Sequence, residues 1–411
     1  MPMSSGNYML NTKPTINVSH DVKFWRFAVF AILFLSILRG IRFPNIWSYS
    51  HFLLNYDLGF IKRGLIGEII SQFNNPYLAS YEFFFVFSIA IFFINIILLW
   101  FLIRDFINSQ NPILIGCSIV FASSLAVVFL SHTVGYFDHI GLLIALVTIK
   151  ISGFYKKTLF VLLALPLALL VHEAFLVIYY PVIFMSLLLS LETEGRTKKL
   201  LILGALSAIL LILVSVIANR TLEETEANEM YARLQAKIEH PLRQDAFNVL
   251  VRDSADNVQI MKSLLPDKRR LMGLVRSFMI TSPAFLVFIY FTIVLMKKAK
   301  GKSLLTILSV LASVSPLLLH FIGRDMERWN TLTVTTSFLM LYIAYAIKKD
   351  QPVATSNYIY SILTLVVFLN GISSIPLFDG YYVKQFPFFE HKKYIIDAVY
   401  GKEIFPYVPP R

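Results

Sequence analysis

Long apolar runs separated by short polar stretches dominate the chain, and this pattern is typical of a protein that crosses a membrane many times. A helix needs about 20 apolar residues to cross roughly 30 Å of hydrocarbon. The pattern predicts eleven spans: 24–42, 82–103, 112–131, 140–153, 158–171, 174–191, 200–218, 278–296, 303–323, 331–347 and 357–377. We therefore expect an all-α, polytopic transmembrane helical bundle that forms one integral membrane domain, 1–411.

The apolar run 158–191 needs a separate decision, because it could form one helix or two. A single helix of this run would be about 50 Å long at 1.5 Å per residue, too long for a bilayer even when tilted. It would also place His172 and Glu173 near the middle of the membrane, where ionisable groups are costly. We predict two short spans that meet at this pair, although one helix would invert every later loop.

The basic residues in the tight loops predict the orientation. Lysine and arginine accumulate on the cytoplasmic side of short loops. With the N-terminus inside, the clusters that fall inside are Lys13, Lys23 and Arg26; Lys156 and Lys157; Arg196, Lys198 and Lys199; Lys297, Lys298, Lys300 and Lys302; and Lys348 and Lys349. The cluster Lys268-Arg269-Arg270 falls outside and is the exception. The pattern predicts a multi-pass protein of the bacterial inner membrane, with a cytoplasmic N-terminus and a periplasmic C-terminus.

Composition narrows the class further. Hydrophobic residues make up 57% of the 411 positions and charged residues 15%, a balance that a soluble fold could not bury. Cys117 is the only cysteine, which excludes disulfides and thiolate metal sites. The net charge of +12 comes from basic residues scattered through short loops. This distribution indicates that they orient the protein in the membrane and contact anionic lipid headgroups, and it does not indicate nucleic-acid binding.

Residues capable of chemistry concentrate in the loops that this topology places outside. These are the first outward loop (44–81), the segment 131–139, the His172-Glu173 corner, the long loop (219–277), the segment 320–329 and an aromatic tail (378–411). Loops are polar in any protein, and helix-end charges often only snorkel or cap. The recurrence of His, Asp and Glu at one interface depth nevertheless favours a shared site.

The first outward loop carries the candidate base. Apolar residues recur at helical spacing from Phe60 onward, which predicts a short interfacial helix with Asp57 just before it and Lys62 and Arg63 on it. Asp57 is either the N-cap of that helix or a carboxylate base beside cations that hold a phosphate.

The segment 320–329 carries the second pair of cations, Arg324 and Arg328. Two arginines suit bidentate capture of a phosphate, and they suit equally an arginine–carboxylate network that ties two helices together. Residues expected to bind the acceptor or support the site are Asp138, His139, His172, Glu173, His320 and Asp325.

The long loop (219–277) predicts amphipathic helices that cover a cavity. Leu222, Met230, Leu234 and Ile238 recur at helical spacing with dense charge between them, and Pro241 ends the pattern. The aromatic tail should rest at the outer interface.

An acid in the first outward loop, beside an interfacial helix and ahead of many spans, resembles the GT-C superfamily of membrane glycosyltransferases. The stretch that carries this likeness is Tyr56-Asp57-Leu58-Gly59-Phe60-Ile61-Lys62-Arg63-Gly64-Leu65, which is also similar to membrane proteins of bacterial surface-polysaccharide clusters. The resemblance implies a GT-C-like fold, Asp57 as the catalytic base, and a polyprenyl-phosphate or polyprenyl-pyrophosphate sugar donor used at the periplasmic face. The Trp-Trp-Asp type of acceptor motif of the oligosaccharyltransferase branch is absent, so no cofactor is assigned and a divalent cation stays open.

The expected function is transfer of a sugar from that donor to a glycan or lipid-linked acceptor, with Lys62, Arg63, Arg324 and Arg328 holding the donor phosphate. The expected partners are the polyprenyl-linked donor, a glycan or glycolipid acceptor and membrane lipids, without nucleic acid. An O-antigen or capsule repeat-unit polymerase shares nearly every feature. A lipid-linked glycan flippase or other transporter would place its ionisable residues near the midplane and show internal repeats, and we see no repeat. A membrane acyltransferase is a third alternative.

Overall fold

The computed structural model describes residues 18–73, 75–191, 195–297, 303–347 and 357–383. Its α-helices are α1 (Val18–Leu38), α2 (Ile46–Phe52), α3 (Leu65–Gln72), α4 (Tyr81–Asn108), α5 (Pro112–Ser123), α6 (Leu125–His132), α7 (Asp138–Lys150), α8 (Phe154–Val171), α9 (Phe175–Ile178), α10 (Tyr180–Leu188), α11 (Arg196–Ala218), α12 (Glu224–Lys237), α13 (Asn248–Val251), α14 (Ser254–Ser263), α15 (Lys268–Lys297), α16 (Ser303–Val314), α17 (Met326–Ile347) and α18 (Asn357–Ile372). Short 3₁₀ turns occupy Pro76–Ala79, Gln244–Phe247, Ser315–Phe321 and Phe378–Gly380.

Within the described residues, seven helical segments are long and apolar enough to cross a membrane: Tyr81–Asn108, Pro112–His132, Phe154–Val171, Arg196–Ala218, Lys268–Lys297, Ser303–Phe321 and Met326–Ile347. They confirm the all-helical class and the multi-pass membrane character. Every one of the eleven predicted spans coincides with helix, but four of them are shorter or more charged than these seven. The count of eleven and the GT-C fold therefore stay predictions. The lysines at 298, 300, 302, 348 and 349 and the tail from 384 onward lie outside the described residues.

Local capping chemistry explains where several helices begin. The side chain of Ser80 accepts a hydrogen bond from the backbone N–H of Phe83 and starts α4. Asn111 caps α5 in the same way, with Pro112 at its first position. In the long loop, Glu223 and Glu226 form a reciprocal capping box at the start of α12.

The apolar run 158–191 is broken, as predicted. Helix α8 ends at Val171, and His172 has extended backbone angles (φ −160°, ψ 112°). The chain becomes helical again only at Phe175. His172 and Glu173 therefore lie at a corner between two helices.

Helices α4, α7 and α17 run in the same direction. At their starting end, Asp138 of α7 contacts Arg328 of α17. At their other end, the Lys150 ammonium of α7 lies 2.8 Å from the Asp105 carboxylate of α4 and donates to Tyr342 of α17. All three helices thus begin at one end of the bundle, and the candidate site lies there.

Helix α17 forms the centre of the bundle, because every residue from Arg328 to Tyr345 is buried. Its threonines bond within the helix; the hydroxyl of Thr333, for example, donates to the carbonyl of Trp329. Buried hydroxyls are satisfied in this way without water.

The long loop folds against the first outward loop. Met230 and Leu234 of α12 and Phe247 pack on Phe52 and Leu54 in one apolar cluster. The long loop thus packs on the first outward loop, and its role as a cover over a cavity stays a prediction. Two predicted boundaries of the long loop need correction. The helical pattern ends earlier than predicted, because α12 stops at Lys237, before Ile238. The loop also ends earlier, because α15 begins at Lys268 and residues 268–276 are helical.

The predicted interfacial helix is also shorter than expected. Helix α3 begins at Leu65, not at Phe60, and Lys62 and Arg63 precede it. Gly59 (φ 99°) and Arg63 (φ 64°) have left-handed backbone angles, which a right-handed helix cannot contain. The N-cap position of α3 is Gly64, so the alternative role of Asp57 as its cap is wrong.

Candidate functional site

Two arginine–carboxylate pairs meet at the starting end of the bundle. The Arg63 guanidinium binds Glu173 through both Nε (3.2 Å) and Nη2 (2.7 Å). The Arg328 guanidinium binds Asp138 in the same bidentate manner, at 2.7 and 2.8 Å. Bidentate pairs of this kind are among the stronger hydrogen-bonded contacts in proteins.

His172 links the two pairs into one chain. Its Nε2 lies 3.3 Å from Nη2 of Arg328, and its Nδ1 lies 3.5 Å from the Glu173 carboxylate. Arginine can only donate, so Nε2 is the acceptor in its contact with Arg328, while Nδ1 also lies 3.4 Å from the backbone nitrogen of Ala174. The order Arg63–Glu173–His172–Arg328–Asp138 follows.

His51 completes the surroundings of Arg63. Its Nε2 donates to the carbonyl of Ala246 in the long loop, at 2.8 Å. Its Nδ1 therefore presents a lone pair, and Nη1 of Arg63 lies 3.5 Å away. The long loop thus fixes the histidine that faces the arginine of the first loop.

The histidines are neutral and Glu173 is ionised near pH 7. Burial and the Arg63 charge hold the pKa of His51 well below its usual value, and burial holds the pKa of His172 below its own. Burial raises the pKa of the Glu173 carboxyl, but the Arg63 charge more than offsets this, so the pKa lies well below the usual value. The two cations therefore face two anions and two neutral rings.

Close packing of glycines shapes the loop that carries Arg63. A Cβ on Gly64 would lie 2.4 Å from the Tyr56 ring, and a Cβ on Gly67 would lie 2.2 Å from the carbonyl of Leu54. Lys62 is buried, and its ammonium donates to the carbonyl of Arg252 in the long loop. These contacts hold Arg63 in its left-handed conformation beside Glu173.

A small cavity opens onto this cluster. It encloses about 230 Å³ of space, part of which is open to solvent. Its lining includes Trp47, His51, Arg63, His172 and Arg328. A polar ligand at this place would meet both guanidinium groups.

A second cavity adjoins the first, with about 250 Å³ of space that is partly open to solvent, and the two share Gly135, Tyr136 and Phe137 as a common wall. The second cavity is largely apolar, with Phe52, Phe84, Phe87 and Ile91 in its lining. A polar and an apolar cavity therefore lie side by side.

The predicted site residues divide into two groups. The cluster brings together Arg63, Asp138, His172, Glu173 and Arg328, and Asp325 lies 3.2 Å from Arg328 at its edge. His139 lines the apolar cavity, and His320 bonds to Asn330. Lys62 is bound to the long loop, and Arg324 is exposed. His320, Lys62 and Arg324 do not line the polar cavity.

Asp57 lies in a turn outside both cavities. Its side chain is 40% exposed, and the nearest cation among the described residues is Lys237, 3.9 Å away on α12. The structure therefore does not bring Asp57 into contact with Arg63 or Arg328. Its assignment as the base stays a prediction.

No group of three or more His, Cys, Asp or Glu side chains is close enough to hold a metal within the described ranges. The two carboxylates of the cluster are each bound to an arginine instead.

Sequence reasoning missed several residues of this end. Trp47, His51 and Tyr136 line the polar cavity, and Arg42, Arg243 and Asp379 form a second cluster nearby. Trp47 and His51 lie in α2, a short helix of mixed polarity, and nothing in the local sequence indicates that this helix lies close to the other loops.

Comparison with known proteins identifies no relative, because no family model, no curated protein and no solved structure matches the chain. The seven apolar helices define a multi-pass helical membrane protein. Its function has to be argued from the site itself.

Proposed function

We propose that the chain is a membrane glycosyltransferase that takes a sugar from a polyprenyl-phosphate or polyprenyl-pyrophosphate donor at the periplasmic face. One observation carries the proposal. Arg63 of the first outward loop and Arg328 of the first turn of α17 are far apart in the sequence, yet they line one polar cavity that adjoins an aromatic cavity. Arg63 also binds Glu173. A lipid-linked sugar phosphate has the same division into an anionic and an apolar part.

The guanidinium groups provide the donor subsite. Arg63 is the better placed of the two, because its side chain is 11% exposed and its partner Glu173 is 20% exposed. A phosphate can therefore approach and compete for the same N–H groups. The apolar cavity beyond Tyr136 and Phe137 would take the first part of the lipid chain.

Transfer then proceeds by direct displacement at the anomeric carbon. An acceptor hydroxyl oxygen forms the new bond to that carbon, the bond from the carbon to the phosphate oxygen breaks, and the phosphate leaves on its lipid. The hydroxyl proton passes to a carboxylate base. Arginines stabilise the charge that develops on the leaving phosphate.

Glu173 is the carboxylate that the geometry favours as the base. In the present arrangement Arg63 lowers the pKa of Glu173, which makes it a weak base. When a donor phosphate occupies Arg63, Glu173 loses part of this interaction and its pKa rises. Donor binding would thus activate the base at the moment it is needed.

The position of the cluster supports an enzyme over a transporter. Asp138 begins α7, Glu173 follows the end of α8, and Arg328 lies in the first turn of α17. Transporters place their substrate sites near the middle of the membrane.

The test compares two carboxylates, Glu173→Gln and Asp57→Asn, by the amount of surface glycan that each variant restores to a deletion strain. Glutamine keeps the size of Glu173 and still accepts from Arg63, but it cannot take a proton. We expect Glu173→Gln to lower the product by about a hundredfold, the usual scale of general-base catalysis. Asp57→Asn should stay near the wild-type level, with equal membrane insertion of both variants as the control.

The opposite pattern, with Asp57→Asn inactive and Glu173→Gln active, would establish Asp57 as the base and overturn the role of Glu173. Normal product from both variants would contradict the proposed mechanism altogether.

A further inference from the structure

A second polar cluster lies where the C-terminal turn meets the first outward loop. The C-terminal turn is the segment 375–383, in which Pro376 and Tyr382 form an isolated antiparallel bridge. Its flanks pack on Leu125, Val128 and Phe129 of α6. Asp379 lies at its tip with a left-handed backbone (φ 58°, ψ 33°).

Three donors converge on the carboxylate of Asp379. Nη1 of Arg42 and Nδ2 of Asn45 each lie 2.8 Å from its Oδ2. Nη1 of Arg243, from the long loop, lies 3.2 Å from its Oδ1. Two arginines and one amide around a single anionic group are the donors by which proteins bind phosphate and carboxylate ligands.

One donor at this place lacks an acceptor among the described residues. Nη2 of Arg42 is buried and makes no hydrogen bond with the part of the chain that the structure describes, and the Arg42 side chain is only 8% exposed. A buried donor without an acceptor is costly. A carboxylate offers two oxygens and leaves this donor unpaired, whereas a phosphate group brings further acceptor oxygens.

We propose that Arg42, Asn45 and Arg243 form a second anion site, that it binds a phosphate-bearing ligand, and that the Asp379 carboxylate occupies it in the present structure. The site is accessible, since the side chains of Arg243 and Asp379 are 33% and 24% exposed. Asp379 acts as an internal competitor that the ligand displaces.

Tyr136 connects this site to the first one. Its hydroxyl accepts from Asn45 at 3.0 Å, and its ring lies 5.5 Å from the guanidinium of Arg328. The two anion sites therefore contact different parts of one side chain. The inference does not depend on sugar transfer, because it concerns only the binding of phosphate.

The test is a titration of the purified protein with inorganic pyrophosphate. Binding is measured by the shift in the temperature of thermal unfolding. Asp379→Asn removes the competing charge, and asparagine is one of the residues that tolerates a left-handed backbone. If Asp379 occupies the site in most molecules, its removal should lower the half-saturating concentration by about tenfold.

Three further variants show whether the stronger pyrophosphate binding of Asp379→Asn belongs to this site. Asp245→Asn is the matched comparison, because Asp245 also binds Arg243 but leaves Asp379 in the site, and it should lower the half-saturating concentration by less than Asp379→Asn does. Adding Arg42→Gln to Asp379→Asn should abolish the gain, and adding Arg63→Gln should preserve it. If adding Arg63→Gln abolished the stronger binding and adding Arg42→Gln did not, the pyrophosphate would bind at the first cluster and the proposal would be overturned.

If Asp379→Asn does not fold, the titration of Arg243→Gln decides in its place. The half-saturating concentration should rise by about tenfold relative to wild type, the cost of one charge-assisted contact. An unchanged value would overturn the proposal.

A parallel arm replaces pyrophosphate with phosphatidylglycerol in mixed micelles. A response of Asp379→Asn to the lipid alone identifies a lipid headgroup as the ligand. A response to pyrophosphate identifies a free or glycan-borne phosphate. No difference between wild type and Asp379→Asn in either arm would contradict the site.

Discussion

The two ion pairs of the candidate site differ in burial, and this difference separates their roles. The side chains of Arg328 and Asp138 are 5% and 2% exposed, whereas those of Arg63 and Glu173 are 11% and 20% exposed. A substrate can therefore reach Arg63 more easily than Arg328. We infer that the Arg328–Asp138 pair mainly joins α7 to α17, which is the helix-tying role that the sequence left open for Arg328.

Breaking the buried pair should destabilise the protein strongly. Asp138→Asn leaves the buried Arg328 charge with only the partly exposed Asp325, 3.2 Å away, as its anion, at a cost of about 3–5 kcal/mol. Thermal unfolding in detergent would measure this. Replacing both residues, Asp138→Leu with Arg328→Met, should recover most of the stability.

The control for this prediction is Asp105→Asn at the other end of α4. Its pair with Lys150 is about one-third exposed, so its loss should cost about 1 kcal/mol or less. A variant Asp138→Asn as stable as Asp105→Asn would contradict the structural role of the buried pair.

At the level of single residues, the sequence predicted the candidates but not their partners. The sequence predicts Asp138, Glu173 and Arg328 in the site, because ionisable residues next to membrane spans are usually paired or functional. Their pairing could not be predicted, since Arg63 and Glu173 are 110 residues apart and Asp138 and Arg328 are 190 apart. No local pattern encodes such contacts. His51 and Tyr136 were missed for the same reason.

Among the elements, the loop between α6 and α7 holds the wall between the two cavities. Gly135 has φ 92°, a conformation that strains any residue with a side chain. A Cβ at this position would lie 2.8 Å from both the Phe84 ring and the Pro44 ring. The wall therefore needs glycine for two independent reasons.

These two reasons can be separated by comparing Gly135→Ala with Gly153→Ala. Gly153 also has a positive φ, 83°, but a Cβ there would meet nothing within 4 Å. Backbone strain alone should cost about 1–3 kcal/mol in Gly153→Ala. Gly135→Ala should cost roughly 1–3 kcal/mol more through overpacking.

Thermal unfolding of the two variants measures the difference. Gly135→Ala should also lose glycan product through the displaced cavity wall, whereas Gly153→Ala should keep it. Equal stability and equal product in both variants would show that the wall tolerates a side chain.

At the level of elements, hydrophobic runs predicted helices well because the length of a span constrains them. The break at His172-Glu173 could be predicted because an unbroken helix would exceed the bilayer. The start of α3 could not be predicted from apolar spacing. The spacing from Phe60 onward is helical, but the left-handed backbone at Arg63 ends any helix that includes it. The close approach of Gly64 to Tyr56 favours that conformation, and it is a tertiary contact.

In the whole molecule, the loops that the lysine pattern placed outside meet at one end of the bundle. Asp138, Glu173 and Arg328 lie there, and the Asp105–Lys150–Tyr342 contacts lie at the opposite end. The alternation of spans thus predicted which helix ends meet. Which side of the membrane this end faces rests on the lysine pattern and belongs to the proposal.

The central claim is that the polar cavity holds the phosphate of a lipid-linked sugar. The most direct measurement is equilibrium binding of a polyprenyl phosphate to the purified protein, compared between Arg63→Lys and Arg324→Lys. Both changes keep a positive charge, but lysine loses the fork that binds two oxygens at once. Arg63 lines the cavity and Arg324 is exposed outside it.

We predict that Arg63→Lys weakens binding by about tenfold or more, which corresponds to at least about 1.4 kcal/mol. Arg324→Lys should bind like the wild type. Equal affinity of wild type and Arg63→Lys, or a loss confined to Arg324→Lys, would contradict the claim that this cavity holds the donor phosphate.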